Sequence, residues 1–151
     1  MSEQALDDAL PSRRDPLLRV VFRWLAALAL VATGLNHFRD PAMYVSIIPP
    51  GFPSPRLLVF ISGVAELAGG LGLLVPPLRR AAGWGLILLL VAIFPANIYV
   101  ALHADRFRLP IWFAWVRLPL QGVFIAWVWW VALAGTGKRG RAATATADRG
   151  T

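Results

Sequence analysis

The sequence predicts an all-α protein, a bundle of four transmembrane helices with both termini in the cytoplasm. Three observations lead there. The 151 residues are 58% hydrophobic and only 15% charged, with a mean hydropathy of +0.62, too apolar for a soluble domain of this size. Four runs of about 20 residues or more are each long enough to cross a hydrocarbon core about 30 Å thick. The basic residues lie mostly beside those runs, which accounts for a net charge of +7 by membrane orientation and without nucleic acid as a partner.

Residues 1–16 hold Glu3, Asp7, Asp8, Arg13, Arg14 and Asp15 with little apolar content and read as a disordered tail. The first span is 17–36, with Arg19 and Arg23 near its start placed to snorkel toward headgroups. Arg13 and Arg14 ahead of an apolar run also resemble a secretory signal, but three further spans follow, and Asn36 and His37 close the run as part of the mature bundle.

From Phe38 to Arg56 runs a linker whose prolines 41, 49, 50, 53 and 55 predict little regular hydrogen-bonded structure. Its Met43, Tyr44, Ile47 and Ile48 suit either a cap lying over the bundle or a simple connection. The second span is 57–75, closed by Pro76 and Pro77. The third is 83–102, with a kink expected at Pro95, and the fourth is 111–135, carrying Arg117, Pro119 and Gln121. Residues 136–151 read as a second disordered, basic tail, which leaves 17–135 as one membrane domain.

With four spans, ten basic residues fall on the side of the termini (Arg13, Arg14, Arg19, Arg23, Arg79, Arg80, Lys138, Arg139, Arg141, Arg149) and five on the other. The positive-inside rule then puts both termini in the cytoplasm, the placement expected of a protein of the bacterial cytoplasmic (inner) membrane. All seven tryptophans fall in the outer thirds of spans, as an aromatic belt requires.

The span 57–75 is the informative one, because it carries a carboxylate, Glu66, about halfway through the bilayer. Its eleven Leu, Ile, Val and Phe residues favour insertion by about 0.3 to 0.6 kcal/mol each, which outweighs a central acid costing about 3 kcal/mol. Polar groups on the other spans fall in the same outer half: His37 at the end of the first, Asn97 about 8 Å deep in the third, Arg117 and Gln121 about 9 and 15 Å deep on one face of the fourth. Buried in lipid, such groups turn toward one another or toward a water-filled cavity, so one site is expected. Arg117 is the natural counter-ion of Glu66, with Asn97 and Gln121 adding hydrogen bonds; alternatively Glu66 carries a proton and is neutral.

The plainer reading is interhelical glue, worth about 1 kcal/mol per hydrogen bond. Gly63, Gly69, Gly70 and Gly72 let a second backbone approach the helix of Glu66. Two histidines, His37 and His103, could ligate a metal or haem axially but come without further ligand spacing, and no phosphate loop, zinc spacing or nucleophile elbow is present. The absence of cysteine excludes disulfides, iron–sulfur clusters and thiol catalysis by this chain.

Five motifs carry a family resemblance: GLNHF at 34–38, IPPGFPSP at 48–55, SGVAELAGGLGLLVP at 62–76, FPANIY at 94–99 and RLPLQ at 117–121. The chain resembles the DoxX family over roughly residues 20–133. That resemblance implies a four-helix membrane protein related to the small membrane subunits of a thiosulfate:quinone oxidoreductase. The family's recurrent polar positions match His37, Glu66, Asn97, Arg117 and Gln121.

The expectation is therefore a small membrane protein that binds a quinone or another amphipathic molecule, as an accessory subunit in a redox-linked complex. Glu66 and Arg117 would handle charge or a proton, and Asn36, His37, Asn97 and Gln121 would bind the ligand. A non-catalytic scaffold, packing on an oxidoreductase partner or a second copy through its glycine-rich helix, is the alternative. A small-solute or proton carrier is a third.

Overall fold

The structure, a computed structural model, describes residues 16–134. It is all-helical over these residues, with four helices long and apolar enough to cross a membrane, as an integral membrane protein requires. They are α1 (Leu17–Arg39), α3 (Pro55–Leu74), α4 (Arg79–Leu102) and α5 (Ile111–Ala132), with a short α2 (Pro41–Ser46) between the first two. The tails expected at 1–16 and 136–151 lie, but for Pro16, outside the described residues.

Local chemistry sets the boundaries. α1 continues three residues past the expected end at 36, until Asp40 leaves the helical region, which the following Pro41 disfavours for it. The linker contains the helix that its prolines were expected to prevent. Pro41 occupies the first turn of α2, where its missing N–H costs nothing, and the Asp40 carboxylate caps the helix by accepting from the Met43 N–H at 3.2 Å. Pro55 opens α3 in the same way, two residues before the expected start. Val75 turns extended ahead of Pro76 and ends it. α4 begins four residues earlier than expected and runs on through Pro95; α5 ends at Ala132, three residues short of 135.

α1 lies along α3, α3 against α4 and α4 against α5, while α1 meets α5 over a shorter stretch. The bundle thus has a terminal end, where α1 starts, α3 turns into α4 and α5 stops, and a loop end carrying α2 and residues 103–110. The core sits toward the terminal end. Ala26, Leu73, Leu86, Val128 and Ala132 pack together there, with Leu30, Ala82, Trp127 and Leu133 around them. α1 closes this end on α5: Phe22 stands edge-on to Trp127 and Trp130, Arg19 Nη1 donates to the Ala134 carbonyl at 2.7 Å and Arg23 Nε to that of Val131 at 3.1 Å. Carbonyls in the last turn of a helix and just beyond it lack partners within the helix and attract positive charge.

Glycines bring the backbones together. A Cβ on Gly70 would lie 3.1 Å from the Ala27 carbonyl oxygen, and one on Gly63 2.8 Å from His37 Cβ, so both serve the α1–α3 contact. Gly69 abuts the Leu86 side chain, and Gly83 faces Ala132. The glycines of α3 thus face α1 and α4 within the bundle, while Leu57, Phe60, Ile61, Val64 and Leu71 of the same helix stay exposed. Outward, Trp24, Leu28, Trp84, Leu88, Val91, Trp112 and Val123 are exposed, an apolar surface suited to lipid.

Candidate functional site

The six polar residues expected in one site form two groups. Helix pairing separates them. Gly34 and Gly63 turn the Glu66 side of α3 toward α1, since a Cβ on Gly34 would lie 3.2 Å from Glu66 Cβ. α5, carrying Arg117 and Gln121, pairs with α4 instead. The expected Glu66–Arg117 ion pair does not form: among the described residues Glu66 Oε2 lies 3.8 Å from His37 Nδ1, and Arg117 Nη2 donates to Asn97 Oδ1 at 3.0 Å.

The α4–α5 group is a chain of donors and acceptors. Arg117 donates to Asn97, Asn97 Nδ2 donates to Gln121 Oε1 at 2.7 Å, and Gln121 Nε2 donates to the Leu90 carbonyl. That carbonyl lies in the turn before Pro95, one residue ahead of the Val91 carbonyl that the proline deprives of a partner. Gln121 is buried and Arg117 is partly so. Bonds of this kind between side chains of two helices fix their register in a medium without water.

The α1–α3 group is less complete. His37 is buried near the loop end of α1, its Nδ1 2.9 Å from the Thr33 carbonyl and 3.8 Å from Glu66 Oε2. A carbonyl only accepts, so Nδ1 carries the hydrogen and a neutral His37 keeps its lone pair on Nε2. Thr33 lies beside the Glu66 carboxyl, but its hydroxyl is turned back on the carbonyls of Ala29 and Leu30. Glu66 Oε2 is buried and receives no hydrogen bond. Buried polar atoms in that condition are uncommon in folded proteins, and Trp127 Nε1 in the core shares it.

α2 roofs this group. Tyr44 stacks on the His37 ring at 3.7 Å between centroids and accepts a hydrogen bond from Asn36 Nδ2 at 3.1 Å, so Asn36 holds the roof in place. Beside the roof is a cavity of about 550 Å³ lined by His37 and Phe38 of α1, Pro41, Ala42, Val45 and Ser46 of α2, and Arg56, Val59 and Phe60 of α3. Its wall is largely apolar with a few polar groups, as in small-molecule sites, but it opens widely to the surroundings of the bundle. Tyr44 was expected only as part of a cap or connection, and neither Tyr44 nor Arg56 was expected in the site. The Asp40–Pro41 pair, a cap followed by a first-turn proline, is the signal that would have revealed α2 and with it the roof. His103, the other histidine, sits exposed at the end of α4, stacked near Tyr99.

The model of one protein family, described as a domain of unknown function, DUF8561, matches residues 25–132, from the middle of α1 to the last residue of α5. No curated protein and no solved structure matches the chain. The match takes in both polar groups and the cavity, and the chain belongs to the DUF8561 family.

Proposed function

We propose that this protein binds a small amphipathic molecule, quinone-like in having an oxygen-bearing head and an apolar body, in the loop-end cavity. The observation that carries the reading is the double position of His37, which lines the cavity and places Nδ1 3.8 Å from the buried Glu66 carboxylate. In this reading Nε2 of neutral His37 accepts a hydrogen bond, and then a proton, from a hydroxyl of the ligand such as the reduced, quinol-like form carries, and Glu66 stabilises the imidazolium that forms. Glu66, His37 and Asn36 belong to this site, the first two at its chemistry and Asn36 through Tyr44. The resemblance to the DoxX family supports a setting in a redox-linked membrane complex.

For Arg117, Asn97 and Gln121 a different reading is favoured by a specific observation: Asn97 and Gln121 satisfy each other, Arg117 and a backbone carbonyl. Their role is to lock α4 to α5. The positive-inside count supports a cytoplasmic position for both termini in a bacterial inner membrane. Because the chain has no cysteine, single cysteines at Ser2 and Ser54 test this with a membrane-impermeant maleimide: Ser54→Cys should label in intact cells and Ser2→Cys only after lysis.

The test of function is mass spectrometry of small molecules extracted from protein purified in mild detergent, comparing wild type with Glu66→Gln and Gln121→Leu at equal loading. A defined molecule kept by wild type and by Gln121→Leu but lost from Glu66→Gln supports the cavity as its site. Equal retention by all three sinks the reading.

A further inference from the structure

The cavity also has a charge, and it is of one sign. Among the nine lining residues Arg56 is the full cation and His37 the titratable base, with Ser46 as the remaining polar side chain. Among the described residues no carboxylate lines it: Asp40, the nearest acid in sequence, is committed to capping α2, and Glu66 lies behind His37. Arg56 is exposed and, among the described residues, has no hydrogen bond or ion pair. A guanidinium presents five donors in a planar fork matched to the two oxygens of a carboxylate or phosphate. It stands here at one side of a wall of Phe38, Val45, Val59 and Phe60.

We infer that the occupant of this cavity is an amphiphile with an acidic head group, held by Arg56 while its apolar body lies against Val45, Val59 and Phe60. This rests on the proposed ligand-binding role of the cavity and narrows the ligand from any oxygen-bearing head to an anionic one. A carboxylate or phosphate head at Arg56 leaves His37 free to address a second polar group on the ligand body. Arg39, also exposed near the loop end, does not line the cavity and so serves as a control for general surface charge.

The test uses the full chain in nanodiscs of zwitterionic phosphatidylcholine at alkaline pH, with oleate as the probe and oleyl alcohol as its uncharged counterpart. Wild type should bind oleate at least about ten-fold more tightly than the alcohol, the scale of one charge-assisted contact. Arg56→Gln should remove that preference, whereas Arg56→Lys and Arg39→Gln should keep most of it. Replacing part of the phosphatidylcholine by phosphatidylglycerol separates the two sources of such a head: displacement of oleate assigns the site to a lipid phosphate, and undisturbed binding assigns it to a free acid.

Equal binding of oleate and oleyl alcohol, or equal losses in Arg56→Gln and Arg39→Gln, overturns the anionic assignment. If a neutral molecule is nevertheless extracted from wild type and lost from Glu66→Gln, only this inference falls. If nothing is extracted and neither probe binds, the ligand-binding reading falls with it.

Discussion

The two halves of this bundle are built to different rules. At the terminal end four helices converge on small and aliphatic residues, Ala26, Leu73, Leu86, Val128 and Ala132, and arginines of α1 cap the end of α5. At the loop end the helices fall into two pairs, each with its own polar group, and a cavity of about 550 Å³ opens beside one of them. The difference teaches where stability and function divide. A close-packed end holds the helices in place, so the other end can keep a space without filling.

The strongest way to break this comparison is to overfill the closed end. Gly69 of α3 has no room for a side chain, because a Cβ there would run into Leu86, itself fully buried. Gly69→Leu should cost about 3 kcal/mol or more, which exceeds the usual penalty for overpacking because both α4 and Leu86 must shift. Size-exclusion and thermal unfolding in detergent read the outcome as loss of the folded species. A Gly69→Leu protein as stable as wild type would mean that the closed end is softer than its packing.

Next comes the loop end, where the expected effect is on binding. Glu66→Gln removes the charge behind His37 and should lower ligand retention by about ten-fold or more, the equivalent of about 1.4 kcal/mol. Stability should be unchanged or higher, since the lost group is a buried acid whose Oε2 receives no hydrogen bond. Parallel measurement of retained ligand and unfolding midpoint checks both. A drop in stability matching the drop in retention would make Glu66 a structural residue.

A smaller effect is expected across the α4–α5 chain. Gln121→Leu leaves the Leu90 carbonyl and Asn97 Nδ2 without their present partners and should cost about 1 kcal/mol. The cycle with Asn97→Ala should show coupling of roughly 0.5–1.5 kcal/mol, while ligand retention stays near wild type. Independent effects of the two substitutions would dissolve the chain into separate contacts.

Much of this contrast is legible in the residues themselves. The four spans, the burial of Glu66 and the use of Gly63 and Gly70 for close approach all derive from hydropathy, length and the helical repeat. The pairing does not. Asn97 and Gln121 meet, and Glu66 and Arg117 do not, because glycines direct the Glu66 face of α3 onto α1, and depth in the membrane says nothing about which neighbour a face meets. α2 is hidden for another reason: proline is both a helix breaker and a helix starter, and only the capping Asp40 before Pro41 tells which. A cap holding Tyr44 over the bundle was one of the two readings of the linker, but without α2 neither its stacking on His37 nor the wall beside Arg56 could be placed.

The mildest substitution is also the sharpest about the surroundings of the bundle. Gly122 lies inside α5, one residue after Gln121, and a Cβ added there would meet nothing within 4 Å. If that face meets only lipid, Gly122→Ala removes the conformational freedom that makes glycine costly in a helix interior and should raise stability by roughly 0.5–1 kcal/mol. Small residues on an exposed helix face are also what lets a second membrane helix approach closely, and there an added methyl would push the partner away. Thermal unfolding together with cross-linking in native membranes separates the cases: a raised midpoint and unchanged cross-linking are expected. A lowered midpoint with lost cross-links would make the Gly122 face of α5 an interface, and would move any homo-oligomer contact away from the glycine-rich helix, whose small residues are already occupied by α1 and α4.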